Sequence, residues 1–131
     1  MAAHNELGQK GESIAAEMLQ KKGYKIVERN WKFNGLEVDI IALTKTDIVF
    51  VEVKTRSSDS LMQPEDAVDF NRKCRLTAAA NAYVNYHRIS LNPRFDIVAI
   101  VLNNNHCDIQ HIEDAFPPTS RTNYKGFYRK K

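Results

Sequence analysis

Asp39, Glu52 and Lys54 are the residues of this 131-residue chain whose types and spacing could carry out chemistry. Glu52 and Lys54 stand two apart in a run of strand-forming residues, so the alternation of a strand places both on one face. The valines of the same run occupy the other face, which indicates a sheet covered on that side. Two carboxylates and an ammonium group suit metal-assisted chemistry at a phosphate, because Mg²⁺ is commonly held by one or two carboxylates with water and phosphate oxygens.

The proximity of Asp39 to Glu52 depends on a predicted hairpin. Two β-rich runs flank the polar residues 44–46, as the two strands of a hairpin do. In a hairpin closed symmetrically around these residues, Asp39 lies directly opposite Glu52, where like charges destabilise a sheet unless a cation lies between them. If the turn is longer by one residue on one side, this pairing breaks, and Glu37 on the same strand face is the reserve ligand. The alternative is that these side chains are surface charges on a solvated strand.

Two helices and five strands are predicted to position these residues. Apolar residues at helical spacing predict a first helix from Leu7 to Lys22, which Gly23 ends. A proline and two acids at 64–66 begin a long second helix that runs to about His87. The predicted strands are 24–30, 36–43, 47–55, 94–102 and 106–116.

The order of these elements is α-β-β-β-α-β-β. The long helix connects the third strand to the fourth, so these two strands are expected to be parallel and joined by a right-handed crossover. The hairpin before them is antiparallel. The predicted fold class is therefore α/β, with a mixed central sheet flanked by helices.

The composition is that of a single globular domain. Hydrophobic residues make up 43% of the chain and charged residues 27%, which excludes a disordered or fibrous protein. Cys74 and Cys107 do not make a disulfide framework, which favours a reducing compartment. Because we find no secretory signal and no membrane-spanning run, we expect a cytoplasmic protein without a membrane partner.

The basic residues are concentrated at the C-terminus. The net charge is +3, and the stretch from Ala115 onward has five basic residues and no acid. We divide the chain into one domain, 1–116, and a flexible basic and aromatic tail, 117–131. Cations interleaved with rings suit phosphate contacts and stacking on unpaired bases, although short basic tails also serve solubility. The predicted nucleic-acid-binding residues are Arg56, Arg72, Lys73, Arg75, Arg121, Tyr124, Lys125, Phe127, Tyr128, Arg129, Lys130 and Lys131.

Several segments, in the same order, resemble the YraN family of small bacterial endonuclease-like proteins. These segments are 11–16, 23–31, 37–42, 49–56 and 94–98. The spacing from Asp39 to Glu52 and Lys54 is similar to the motif of the PD-(D/E)XK nuclease superfamily. The resemblance implies a restriction-endonuclease-like fold, related to that of Holliday-junction resolvases. One departure is that a residue separates Gly35 from Glu37, whereas the family has glycine and glutamate adjacent.

The resemblance also implies roles for the site residues. Asp39 and Glu52 would hold Mg²⁺ or Mn²⁺, with the backbone carbonyl of Val53 as a further ligand. Glu12 matches the helix-borne acid of the family's first motif and would support a metal-bound water or a second ion. Without the resemblance, the position of Glu12 would indicate only an acidic residue near the start of a helix, where the helix dipole stabilises a negative charge. Lys54 would position the attacking water and stabilise charge on the phosphate. The implied catalytic set is Glu12, Asp39, Glu52 and Lys54.

The predicted function is that of a Mg-dependent endonuclease-like protein of the bacterial cytoplasm. It would act on phosphodiester bonds of DNA, with branched or single-stranded DNA as candidate substrates and a homodimer as the expected assembly. One alternative is a nucleic-acid-binding module of the same fold with little or no cleavage activity. An alternative of another class is a protein-interaction adaptor whose acids merely occupy the face of a sheet.

Overall fold

A computed structural model of the chain describes residues 2–57, 68–103 and 105–121, with side chains from Glu6 onward. The elements are α1 (Ala2–Lys21), β1 (Lys25–Phe33), β2 (Leu36–Leu43), β3 (Asp47–Arg56), α2 (Phe70–His87), β4 (Asn92–Asn103) and β5 (His106–Ile112). The predicted α/β class and the element order are confirmed. The arrangement is consistent with the nuclease-like fold that the resemblance implies.

One five-stranded sheet runs through the molecule in the order β1-β2-β3-β4-β5. The β3–β4 pair is parallel, as predicted from the helical connection between them, and the other three pairs are antiparallel. The alternation of β3 divides the core. Val49 and Val51 belong to a cluster with Leu19 of α1, whereas Phe50 belongs to a cluster with Leu76 of α2. The two helices therefore cover opposite faces of the sheet.

The hairpin of β2 and β3 has the predicted register. Ile40 pairs with Val51, and the pairing continues without a shift to Leu43 and Ile48. The turn is closed by the Thr44 N–H, which donates to the Asp47 carbonyl at 2.9 Å. Asp39 and Glu52 occupy the positions directly beyond the Ile40–Val51 pair, where the ladder between the two strands ends.

The second helix begins later than predicted. Asp69 has an extended backbone (φ −81°, ψ 178°), and its carboxylate accepts the N–H of Arg72 at 2.9 Å, so it caps a helix that begins at Phe70. The prediction that residues 64–66 begin this helix is therefore wrong about its start, and those residues lie outside the described part of the chain. Its C-terminal end at His87 is as predicted.

Other element bounds differ by a few residues. The first helix begins at Ala2 rather than Leu7, and it ends at Lys21 because Gly23 adopts a left-handed backbone (φ 97°). The last strand ends at Ile112 rather than 116, because the chain turns at Asp114 (φ 52°). None of the described helices is long and apolar enough to cross a membrane.

The first residues of the predicted tail lie against α2. The Thr119 N–H donates to the Thr77 hydroxyl at 2.8 Å, and the Arg121 guanidinium lies 5.3 Å from the centre of the Phe70 ring. The remainder of the tail, 122–131, lies outside the described residues, together with its predicted nucleic-acid-binding residues. The division of the chain into a domain and a flexible tail stays a prediction.

Candidate active site

An open cleft of about 740 Å³ lies at the end of the sheet where β2 and β3 separate. Both helices and three strands contribute to its wall, which is predominantly polar. The cleft brings together all four residues of the predicted catalytic set, which are Glu12, Asp39, Glu52 and Lys54. Glu37, Val53 and Arg72 also line it, so the reserve ligand, the carbonyl ligand and one predicted phosphate-binding residue share this space.

Asp39 lies at a break in the alternation of β2. In a regular strand Val38 and Ile40 would point to the same face, but Val38 belongs to the cluster beneath α2 and Ile40 to the cluster beneath α1. Asn30, which lies across from Asp39 in β1, has a left-handed backbone (φ 54°). The Asp39 carboxylate reaches β3, where its Oδ2 accepts the Val53 N–H at 2.8 Å.

Glu52 is held by two cations. Its side chain is only 5% exposed, and Arg72 donates to both of its oxygens, from Nε to Oε2 at 3.2 Å and from Nη2 to Oε1 at 2.9 Å. The Lys54 ammonium lies 3.6 Å from Oε2. A two-pronged guanidinium pair of this kind is the strongest form of carboxylate recognition by a side chain. Glu52 is therefore buried and paired with both Arg72 and Lys54.

The position of Arg72 follows from the start of α2. Asp69 caps the helix by accepting the Arg72 N–H, which places this side chain in the first turn at the mouth of the cleft. Its Nη2 also donates to the Glu37 carbonyl at 3.1 Å, so one guanidinium connects α2, β2 and β3. The proximity of Glu52 raises the pKa of Arg72 although burial acts in the opposite direction.

Asp39 has a raised pKa, because its surroundings disfavour the charged form of its carboxyl. Burial, followed by the proximity of Glu52 and of Glu12, raises the pKa of Asp39 from its ordinary value of 3.8 to about 7, while the Val53 N–H and Arg72 partly oppose the shift. Near neutral pH this carboxyl therefore exchanges its proton readily. A cation bound beside it would offset the repulsion from Glu52 and Glu12 that contributes to the shift.

Glu12 reaches the cleft because α1 approaches β3 closely. A Cβ on Gly11 would overlap the Thr55 hydroxyl oxygen, so only glycine allows this close approach. The next residue on the helix, Glu12, lines the cleft and acts on the Asp39 carboxyl through space. The glycine of the first motif thus has a packing role, and the acid beside it faces the other carboxylates.

The donor set of the cleft fits a hard divalent cation. Among the described residues no group of three or more His, Cys, Asp and Glu side chains is placed to hold a metal ion. Two carboxylates are nevertheless sufficient for Mg²⁺, which takes its other ligands from water and phosphate. The Val53 N–H faces Asp39, and the carbonyl of a strand residue points the same way as its N–H. Asp39, Glu52 and the Val53 carbonyl are thus oxygen ligands of the kind that Mg²⁺ and Mn²⁺ prefer.

The predicted phosphate-binding residues divide between two sides of α2. Arg72 lines the cleft, and Arg75 donates to the Gly35 carbonyl one turn further along the helix. Lys73 points elsewhere, with its ammonium 5.5 Å from the centre of the Phe116 ring. Arg56 is the last residue of β3, directly beyond the Glu52–Lys54 segment.

Five residues of the cleft were not among the predicted site residues: Gly8, Gln9, Asn30, Lys32 and Asp69. Asn30 and Lys32 of β1 contribute to the wall of the cleft. Nothing in their local sequence marks them, because they reach the cleft only through the pairing of β1 with β2. Lys32 pairs with Glu37, and this long-range pairing was the signal that sequence reasoning lacked.

A second charged cluster lies at the opposite end of β3 and was also missed. Asp96 of β4 is completely buried and accepts from Arg94 (3.0 and 2.9 Å), His111 (2.7 Å) and the Asp114 N–H (3.0 Å). Burial raises the pKa of Asp96, but the hydrogen bonds from His111 and Arg94 outweigh it and lower the pKa below its ordinary value. Arg94 also pairs with Asp47 at 3.2 Å. This cluster joins β3, β4 and β5, and none of its residues lines the cleft.

Comparison with known proteins identifies relatives over nearly the whole chain. The uncharacterised protein family UPF0102 matches residues 11–100, which include every residue of the predicted catalytic set. A UPF0102 protein of Parabacteroides distasonis is 48% identical over 116 residues, which cover 88% of this chain and 96% of that protein. UPF0102 proteins of Flavobacterium johnsoniae (49% over 120 residues, 88% and 98%) and Bacteroides thetaiotaomicron (44% over 118 residues, 90% and 98%) are similar to a comparable extent. None of these names states an activity.

Proposed function

The chain belongs to the UPF0102 family, which is the YraN family of the sequence resemblance, and on this premise we propose that it hydrolyses phosphodiester bonds in DNA with Mg²⁺ or Mn²⁺. The observation that carries the proposal is the meeting of Asp39, Glu52 and Lys54 in one cleft, with Glu12 approaching from α1. Two carboxylates beside a lysine and an arginine form a site for a cation and a phosphate together.

Each residue has a role that its position supports. Asp39, Glu52 and the Val53 carbonyl would hold the ion, which when bound supplies Lewis-acid polarisation of a phosphate oxygen and a more acidic water. Lys54 lies 3.6 Å from Glu52, and its ammonium would stabilise charge that develops on the phosphate. Glu12, at the wall of the cleft, would orient the attacking water by accepting a hydrogen bond from it.

Arg72 connects ion binding to phosphate binding. Its guanidinium engages both oxygens of Glu52, so it competes with a cation for this carboxylate, and a cation that displaces it releases the guanidinium. The released guanidinium would still lie at the mouth of the cleft, with two donors suited to a phosphate. The pairing with Glu52 therefore holds the Arg72 guanidinium, a ligand for phosphate, next to the reacting site before an ion binds.

The second candidate function is nucleic-acid binding without efficient cleavage. The observation that favours it is the same pairing, because a carboxylate neutralised by arginine and lysine is a weaker ion ligand. In this case the cleft would bind DNA through Arg72 and Lys54, with Arg75 one turn further along α2, and added Mg²⁺ would produce no cleavage.

Cleavage assays on matched substrates test the proposal. We expect single-stranded or branched DNA to be cut with Mg²⁺ or Mn²⁺ and to stay intact in EDTA. Glu52→Gln should lower the rate at least a hundredfold while DNA affinity is retained. Glu17→Gln is the matched control, because Glu17 lies on α1 outside the cleft and pairs with Lys21 at 3.9 Å. Equal cleavage by the wild type and Glu52→Gln would refute the proposed site.

The setting and the assembly are proposed on the same basis. The relatives named above are bacterial proteins, and we place the activity in the bacterial cytoplasm, where DNA is accessible. The likeness to resolvases, which act on branched DNA, supports a homodimer. Light scattering coupled to size exclusion tests the assembly directly, since a monomer at all concentrations would contradict it.

A further inference from the structure

A second cleft, of about 250 Å³, lies between β1 and the C-terminal half of α2. It is lined by Trp31, Phe33, Ala82, Tyr86 and His87, and we refer to it as the aromatic cleft. Phe33 is 48% exposed and Tyr86 82% exposed, which is unusual for rings of this size. The rings of Trp31 and Phe33 are stacked, with centroids 6.0 Å apart and an angle of 18° between them. The cleft therefore presents flat apolar faces to the solvent.

The aromatic cleft and the candidate active site share one segment of chain. Asn30 and Lys32 line the active-site cleft, whereas Trp31 and Phe33 line the aromatic cleft. Successive residues of a strand point to opposite faces and advance by only about 3.3 Å. Because β1 is the edge strand of the sheet, a nucleic-acid strand with a phosphate beside Lys32 can place its next base on the rings by passing around this edge.

The charge of the surroundings favours a polyanion as the occupant. The helix α2 contains no acidic residue, and it carries Arg72, Lys73 and Arg75 near its start and His87 at its end. Glu28 of β1 accepts the Tyr83 hydroxyl at 3.1 Å, so it is engaged with the underlying helix. Arg75, the nearest of the three cations, lies seven residues before Ala82, or about 10 Å along the helix, so these cations suit the phosphates of neighbouring nucleotides rather than of the stacked one. Rings for the bases and cations for the phosphates together form the usual surface for unpaired nucleic acid. An apolar protein partner would not require these cations.

We propose that the aromatic cleft binds an unpaired base of the DNA strand whose backbone enters the active-site cleft. The inference rests on the DNA-binding part of the proposed function and names its substrate class, which is DNA with a single-stranded segment next to the reacting phosphate. Stacking between such rings and a base strengthens binding about tenfold or more. Fully paired DNA has no free base to insert and gains nothing from the cleft.

Trp31 provides a direct reporter, because it is the only tryptophan of the chain. The experiment titrates the full-length protein in EDTA with a single-stranded oligonucleotide and, separately, with the same sequence as a duplex. We expect the single strand to quench Trp31 emission and the duplex to leave it nearly unchanged. Tyr86→Ala, which alters a highly exposed side chain, should weaken single-strand binding about tenfold without changing duplex affinity. Ile109→Ala is the control, since Ile109 is an exposed apolar residue of β5 at the other edge of the sheet.

The outcomes separate this inference from the proposed function. Single-strand binding measured by anisotropy with no change in Trp31 emission and no effect of Tyr86→Ala would overturn the aromatic subsite and leave the nuclease proposal standing. Quenching by the single strand without any cleavage in Mg²⁺ would support the subsite and count against hydrolysis. If Tyr86→Ala instead converts a dimer to a monomer and leaves single-strand affinity unchanged, the cleft is an interface between copies of the chain, and the proposal is wrong.

Discussion

At the scale of single residues, Asp39 determines how the free site behaves with pH. Its pKa is about 7 in the folded protein and close to 3.9 in an unfolded chain. Between these values the folded state binds the extra proton, so the stability of the wild type falls as pH rises through this window. At about 1.4 kcal/mol per pKa unit, the upper limit of the effect is about 4 kcal/mol, which solvent screening reduces.

We therefore predict that Asp39→Asn leaves the free energy of unfolding unchanged or raises it at pH 8. The amide can still accept the Val53 N–H, while the repulsion from Glu52 and Glu12 is gone. The gain should largely vanish at pH 4, where the wild-type carboxyl is protonated in the folded state and about half protonated in the unfolded chain. Urea melts in EDTA at the two pH values measure it.

The same substitution tests Asp39 as an ion ligand. Mg²⁺ at a hundredfold excess over its Kd stabilises a folded state that binds it by about 2.7 kcal/mol. Thermal melts of the wild type at pH 8 should show this gain, and those of Asp39→Asn should not. Equal Mg²⁺ shifts in both proteins would exclude Asp39 as a ligand.

Arg72 is the second residue whose role a substitution can test, since it is both the partner of Glu52 and a proposed phosphate ligand. Arg72→Ala leaves Glu52 buried with Lys54 as its remaining cation, and breaking a buried pair in this way costs about 3 kcal/mol. We predict lower stability without metal, a larger stabilisation by Mg²⁺, and slower cleavage because a phosphate ligand is lost. Arg75→Ala is the control for the stability and Mg²⁺ measurements, since Arg75 donates to the Gly35 carbonyl and not to Glu52. A smaller Mg²⁺ shift in Arg72→Ala than in the wild type would show that the guanidinium does not compete with the ion.

At the scale of elements, the approach of α1 to β3 depends on one missing side chain. Gly11→Ala forces a methyl group against Thr55, and overpacking of this kind costs about 1 to 3 kcal/mol. We predict this loss of stability, together with reduced cleavage because Glu12 is displaced, and partial recovery of both in Gly11→Ala/Thr55→Ala. Gly8→Ala on the same helix has open space around its Cβ and should raise stability by about 0.5 to 1 kcal/mol. Chemical melts and cleavage rates of the four proteins provide the test.

Asp96 connects β4 to β5 through His111 and to the start of β3 through Arg94. Its folded pKa lies below the unfolded value, so its stabilisation is present above about pH 3.9 and is lost as the pH falls through the folded pKa. We predict that Asp96→Asn costs about 3 to 5 kcal/mol at pH 7, because it leaves Arg94 buried with a weaker partner, and costs less in acid. Asp108→Asn, at an exposed position of β5 paired with His106, should change stability by less than about 1 kcal/mol. Similar losses in the two variants at pH 7 would contradict the network.

At the scale of the whole molecule, we expect the clefts to determine which DNA structure binds and the basic C-terminal residues to contribute general affinity for phosphates. The two clefts lie on the folded body, whereas the excess of basic residues lies from Arg121 onward. We predict that removing residues 121–131 weakens binding to all sequences alike and reduces the salt dependence. Each phosphate neutralised contributes about −0.9 to the slope of log K against log salt on duplex DNA and about −0.7 on single strands, so a loss of two to four slope units is expected.

Affinities of the full-length and truncated proteins across a salt series measure this effect. Turnover at saturating DNA should survive the truncation, because the carboxylates and Lys54 lie elsewhere. An unchanged slope would mean that the tail makes no contact with the phosphates. A lost turnover with an unchanged slope would assign the tail to the catalytic site and overturn this division.

Part of the fold and the site follows from local sequence alone. The polar turn at 44–46 and the apolar runs on either side determine the register of the hairpin, because each step of alternation moves a side chain to the opposite face. The same rule places Glu52 and Lys54 together. A helix between two apolar strands determines the parallel pairing of β3 and β4, since a chain that crosses the sheet on one face returns in the same direction.

Only the tertiary structure determines which side chains of the site contact one another. Asp39 leaves the alternation of its strand because Asn30 across the ladder is left-handed and the Val53 N–H offers a partner beyond the last strand pair. Arg72 meets Glu52 because Asp69 begins the helix at one particular turn, and a start one residue earlier or later would rotate the guanidinium away by about 100°. Such contacts join residues far apart in the chain, so their geometry depends on the packing of whole elements, which no local pattern records.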